Sequence, residues 1–237
     1  MTKLTQWRIL LSYKLLLEGI DSTIEIEKER STSLAILNKT FFSRIIGSLT
    51  SDIDCSLENY AFYRDETEVE FRKEALLILS PFDLPFKDSK LLRSLFLKIE
   101  ESVRLNDSIL IKVNELSLAL NEALEKANSN SNCKYDFGIE FDVKKYLKSF
   151  GYSSDIEDGF SLLDSLISFL NFIADVAPDQ LLFFVNLSSF LENNDYLSFC
   201  KKVFSLKLTA FILDSQENGV NDKCLRNYTI DQHFILS

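Results

Sequence analysis

The three prolines of the chain, Pro81, Pro85 and Pro178, bracket a change in hydrophobic period that no fold of a single class accommodates. Outside the bracket apolar residues fall in short continuous runs or alternate with polar ones, as strands require. Inside it they recur every three or four residues, as on one face of a helix. Residues 8–17 form a mostly apolar run that predicts an early strand. Residues 24–27 alternate as Ile-Glu-Ile-Glu, the period of a half-exposed strand. Leu34, Leu37, Phe41 and Ile45 stand at helical spacing and predict a helix over 31–46, with Ser31 as its N-cap and Gly47 as its stop. The polar alternation of 60–70 predicts an edge strand or hairpin, the apolar run 75–79 a buried strand, and Ser-Pro-Phe-Asp-Leu-Pro-Phe at 80–86 a breakpoint.

Beyond it, Leu91, Leu95, Ile99 and Val103 predict a helix over 88–105, and Ile111, Leu116, Leu120 and Leu124 a second over 108–126. A polar Asn-Ser-Asn-Ser-Asn loop follows at 128–132, then a short helix over 143–150 stopped by Gly151, and a long one over 157–176. After Pro178 the order is strand 181–187, helix 192–204, strand 206–213, a tight turn at Asn218-Gly219 and a last strand over 228–236. Short β-α-β connections imply a parallel pair. The prediction is an α/β head with a mostly parallel sheet, built from 1–86 and 178–237, with an all-helical leg at 87–177 inserted between its halves.

Composition narrows the functional classes. Of 237 residues 46% are hydrophobic, enough for a core, and the 6 glycines are too few for loop-built phosphate cradles. No apolar stretch reaches the ~18 residues that span a bilayer, and the first residues do not read as a secretory signal, so a cytoplasmic protein with no membrane partner is expected. Cys55, Cys133, Cys200 and Cys224 make no CxxC pair and are expected as free thiols. The net charge of −10 opposes non-specific DNA affinity unless lysines gather on one face.

Phe211-Ile212-Leu213-Asp214 looks like a strand that presents a magnesium-binding aspartate, but the phosphate loop that must accompany it is missing; the segment after Ile26 is Glu27-Lys28-Glu29-Arg30-Ser31, without glycine. An acid at a strand end is most often a turn residue. His233 has no nucleophile motif near it, so no catalytic residue is expected. Asp52, Asp54, Ser56 and Glu58 alternate as in a calcium loop, but Leu57 and Tyr63 replace the required glycine and glutamate. Glu122, Glu125, Asp136, Glu140 and Asp142 flank the polar loop, and they read either as hard oxygen ligands for calcium or as a solvated acidic loop. Lys144, Lys145 and Lys148 form one small basic face, Lys39 and Arg44 another, and Lys201 with Lys202 a third; each reads as a DNA contact or as a solvated helix face.

The C-terminal third resembles a known family. Asp179-Gln-Leu-Leu-Phe-Phe-Val-Asn-Leu-Ser-Ser-Phe-Leu191, then Leu206-Lys-Leu-Thr-Ala-Phe-Ile-Leu-Asp214, then Tyr228-Thr-Ile-Asp-Gln-His-Phe-Ile-Leu236 is similar to the end of the CRISPR-associated Csn-two proteins of type II-A systems. Tyr146-Leu-Lys-Ser-Phe-Gly151 resembles a family helix end, and Ser22-Thr-Ile-Glu-Ile-Glu27 a family strand. The first twenty residues match poorly, and 126–134 is inserted relative to the short members. The resemblance implies an α/β head related to phosphate-loop ATPases, without nucleotide binding, plus a helical leg. It implies a homotetrameric ring that binds ends of double-stranded DNA without sequence preference, with calcium near the head–leg hinge, beside the Cas nine nuclease and the integrase proteins during spacer acquisition in antiviral defence. Lys148 is carried over from the matched helix end, and Lys144 and Lys145 join it by helical proximity. The competing expectations are a protein-interaction subunit with little DNA binding of its own and an acid-based enzyme using Asp214.

Overall fold

A computed structural model describes residues 12–51, 59–128, 141–149, 151 and 161–237. Along the chain run β1 (Tyr13–Leu17), β2 (Ile24–Ile26), β3 (Ser31–Ile36), α1 (Lys39–Thr50), β4 (Tyr60–Arg64), β5 (Thr67–Glu68), α2 (Phe71–Glu74) and β6 (Ala75–Ile78). Then come α3 (Ser89–Leu105), α4 (Asp107–Asn128), α5 (Val143–Ser149), α6 (Leu162–Val176), β7 (Leu181–Val185), a 3-10 turn (Leu187–Ser189), α7 (Asn193–Ser205), β8 (Thr209–Asp214) and β9 (Leu225–Ile230). The described residues of Met1–Pro85 and Ile156–Ser237 form one compact unit, and those of Phe86–Asp155 another.

The first unit holds two sheets. One is antiparallel in the order β2-β1-β4-β5, and the other is parallel in the order β6-β7-β8-β3-β9. β7 and β8 lie side by side and parallel, joined through α7, as the short β-α-β spacing predicts. An aromatic chain passes between the sheets. Tyr13 stacks on Phe62 at 5.4 Å, Phe62 meets Phe71 edge-on at 4.9 Å, and Phe71 meets Phe183 at 5.0 Å. Phe71 is fully buried at this joint. Arg226 on β9 adds a polar clamp, donating to Glu25 at 3.0 Å and Glu27 at 2.7 Å.

The structure corrects the reading of residues 31–46. They are not one helix but the interior strand β3 followed by most of α1. All six residues of β3 are buried between β8 and β9. A strand covered on both faces has no alternation to display, so the spacing of Leu34 and Leu37 mimics a helix. Ser31 lies in the strand. The cap of α1 is Asn38, whose Oδ1 accepts from the Phe41 amide at 3.0 Å, and the helix runs through Gly47 to Thr50. The last strand also differs: β9 ends at Ile230 and the chain then doubles back, with Thr229 and Ser237 exchanging backbone hydrogen bonds of 2.9 Å. The tail turns because Asp231 Oδ1 accepts from the amides of His233 and Ile235.

The boundary at Pro85 falls inside the predicted breakpoint. The return to the first unit does not coincide with Pro178. α6, assigned from sequence to the leg at 87–177, belongs to the first unit, where its buried Leu166, Phe169, Leu170 and Ile173 hold it in the core and it packs against α7. In the second unit α3 packs against α4 and α5. α4 is 22 residues long and buries only Ser117.

Candidate functional site

In an open parallel sheet, ligands bind beyond the carboxyl ends of the strands, where a strand turns into a helix. Here that place is the link from β3 to α1. It is two residues long, Leu37 and Asn38, and holds no glycine. The Leu37 amide donates to the Ile230 carbonyl at 2.9 Å, and the Asn38 side chain takes the Phe41 amide. The ring of Phe234, from the returning tail, sits edge-on against Phe41 at 5.1 Å. Two of the amides at this junction, those of Leu37 and Phe41, are thus occupied, and an aromatic contact stands beside them. The segment Glu27–Ser31, where the sequence reading looked for the loop, instead joins the two sheets. Arg30 pairs with Glu27 at 2.7 Å and Lys28 with Asp179 at 3.0 Å.

Asp214 ends β8 and points inward. It has no exposed surface. Its Oδ1 accepts from the Ser188 amide at 3.1 Å, and its Oδ2 accepts from the Tyr196 hydroxyl at 3.5 Å. Burial pushes its carboxyl up to about 6, against the pull of the Ser188 hydrogen bonds. The Tyr196 phenol is raised well above 10, first by burial and then by Asp214. Asn218 completes the group: its Nδ2 lies 3.0 Å from Ser33 Oγ, 3.4 Å from Tyr196 Oη and 3.1 Å from Asn227 Oδ1. This acid is a fastener of strand-end loops, with no free face for a metal. Sequence reading saw Asp214 and the Asn218-Gly219 turn but missed Tyr196, because only the fold brings these distant segments together. His233 is exposed on the tail, its backbone amide donating to Asp231 at 2.7 Å.

The basic residues lie on three separate elements. Lys39 and Arg44 are exposed on α1. On α5, Lys144 pairs with Glu100 of α3 at 2.7 Å and Lys145 with Asp142 at 3.7 Å, while Lys148 is exposed and enters no ion pair among the described residues. Lys201 is exposed and Lys202 half-buried on α7.

Of the five acids considered for calcium, Asp136 and Glu140 lie outside the described residues, as does the rejected loop of Asp52 to Glu58. Glu122 and Glu125 are exposed near the end of α4. Asp142 caps α5, its Oδ1 accepting from the Lys145 amide at 3.0 Å, and that bond holds its carboxyl below the usual range. Among the described residues no three His, Cys, Asp or Glu side chains gather closely enough to hold a metal. Cys200 is a buried free thiol, pushed up to about 12 by burial.

The sequence did not signal two further features. A largely apolar cavity of about 300 Å³ opens between α3, α4 and α5, lined by Val103, Val113, Leu120 and Tyr146 among others. α4 exposes Ile109, Ile111, Leu116, Leu118, Leu120 and Leu124, of which Leu116 and Leu120 also border the cavity.

No protein-family model and no curated protein sequence matches the chain. Among solved structures it is similar to Stu0660 of Streptococcus thermophilus, with a TM-score of 0.59 and 16% identity over 92% of this chain and 74% of that one. Looser similarities reach the ATP-binding cassette MJ1267 of an ABC transporter, in its ADP conformation (TM-score 0.47, 12% identity, 96% and 89% of the chains), and a putative ABC transporter ATP-binding protein from Pyrococcus furiosus (TM-score 0.42, 11% identity, 92% and 96%). No helix among the described residues is long and apolar enough to cross a membrane. The described residues thus make an α/β fold, with a five-stranded parallel sheet whose interior strand β3 runs straight into a helix without a phosphate loop, and a separate helical unit holding α3, α4 and α5.

Proposed function

We propose that this chain binds the ends of double-stranded DNA without catalysis and without sequence preference, as a ring-shaped homotetramer acting in the cytoplasm during CRISPR type II-A spacer acquisition. The observation that carries the reading is the β3–α1 link. The fold has the place for a phosphate cradle, and a capped, glycine-free junction backed by Phe234 fills it. That leaves binding rather than nucleotide turnover as the work of the scaffold, and the sequence resemblance to the Csn-two proteins supplies DNA as the partner.

Lysines that touch only phosphates need no base-reading motif, and each neutralised phosphate releases counterions. Lys148, with Lys144 and Lys145 beside it on α5, and Lys39 with Arg44 on α1 are the proposed contacts. A closed ring gives end preference without an end-reading residue, since it can be threaded only from a terminus. The exposed apolar side chains of α4 support assembly, because a monomer rarely leaves such a run in water. Calcium is the proposed cofactor and Cas nine with the integrase proteins the proposed partners; no nucleotide and no membrane take part. Glu122, Glu125 and Asp142 do not form a calcium cage by themselves, and Asp136 and Glu140, outside the described residues, are the other two proposed ligands.

Titration of linear duplexes of unrelated sequence tests this. Their affinities should agree and fall together between about 50 and 200 mM salt, and Lys148→Glu should weaken all of them and lower the salt slope by about one. Affinity indifferent to salt, or confined to one sequence, would overturn it. The second reading, a protein-interaction subunit, is favoured by the net charge of −10 and by the pairing of Lys144 and Lys145 with acids. It is selected if no duplex binds at any salt or calcium concentration while protein partners are retained.

A further inference from the structure

Two loops at the carboxyl end of the parallel sheet are tied to one buried acid. The turn at 186–189 reaches Asp214 through the Ser188 amide at 3.1 Å. The loop after β8 reaches it through Asn218, whose Nδ2 is 3.4 Å from the Tyr196 oxygen that in turn donates to Asp214. Asn218 also holds its own loop in shape, its Oδ1 accepting from the Val220 amide at 2.9 Å. The groups that face Asp214 are the amides of Leu187 and Ser188 from the turn, and Tyr196 and Cys200 from α7. None of them is basic. The flanking strands β3 and β7 carry no titratable residue.

A carboxylate offers about four acceptor sites and is costly to bury without a cation or a full set of donors. Water admitted by lifting either loop relieves the ionised form and does little for the neutral acid. We propose that Asp214 is a proton-operated clasp on these two loops, shut when its carboxyl is neutral and loosened when it ionises. Linkage fixes the sign. The shut form holds the proton more tightly than any opened, hydrated form, so opening is favoured as pH rises through the interval between the ordinary carboxylate value of 3.8 and about 6. Two pH units of difference allow up to about a 100-fold change in the opening equilibrium.

Native-state amide exchange on the full chain reads this directly. The amides of Ser188 and Val220, corrected for intrinsic rate, should open up to about 25-fold more often at about pH 7 than at about pH 4.5, and Asp214→Asn should abolish that rise. An equal rise in the variant, or none in the wild type, would overturn the clasp. If Asp214→Asn does not fold, carboxyl carbon NMR of the wild type decides. A midpoint near 6 that moves higher in Tyr196→Phe, which removes a donor to the carboxylate, supports the clasp, and a midpoint at the ordinary 3.8 refutes it.

Discussion

β8 and α4 are built from similarly apolar sequence and end in opposite environments. All six residues of β8 are buried, including the ionisable Asp214. α4 buries one residue, Ser117, and leaves six large apolar side chains exposed. The first unit therefore finds its stability within the chain, through two sheets joined by an aromatic line. The second is a thin layer of helices, and the exposed face of α4 fits a surface whose partner is another molecule. Hydrophobic pattern identifies a surface that avoids water, but it does not say whether the cover comes from the same chain.

The largest expected effect is at the joint between the sheets. Phe71→Ala removes a ring that meets Phe62 and Phe183, and it should cost about 3–5 kcal/mol in urea unfolding. A loss under about 1 kcal/mol would mean that the first unit is not the stable partner in the contrast. Next is Asp214→Asn. Its raised carboxyl contributes stability that is present at acid pH and lost as pH rises toward 6. The substitution should therefore gain up to about 2 kcal/mol at about pH 7.5 relative to about pH 4.5, with unfolding curves at both pH values as the check. Asn38→Ala deletes the cap of α1 and should cost about 1 kcal/mol by the same measurement.

The smallest effect on stability is expected on α4. Leu118→Glu should change the unfolding free energy of the chain by no more than about 0.5 kcal/mol, yet lower the mass in solution. A large loss of stability with no change of mass would erase the contrast, since Leu118 would then belong to an internal core.

The alternation of 24–27, the polar hairpin, the proline breakpoint and the two helices after it were legible because each carries a local pattern that its environment imposes. β3 was not, since a strand buried on both faces keeps no period, and its Leu34 fell in step with the helix that follows. The end of α6 at Val176 was legible, but its start at Leu162 after the Ser161 cap and its allegiance were not: a helix's apolar stripe does not name the layer it covers. At the candidate site the missing phosphate loop could be read from the scarcity of glycine. The true link, Leu37-Asn38, could be located only once β3 was known to be a strand. Tyr196 and Asn218 carried no motif, because their meaning lies in meeting Asp214 across the fold.

The central claim, a ring threaded by DNA ends, is tested most directly by a competition gel shift at low salt, with and without calcium. A linear duplex is set against the same sequence as a closed circle, alongside the native mass of the protein. The account predicts a tetramer that shifts the linear form and spares the circle. A monomer, or a tetramer that shifts both forms equally, would contradict it.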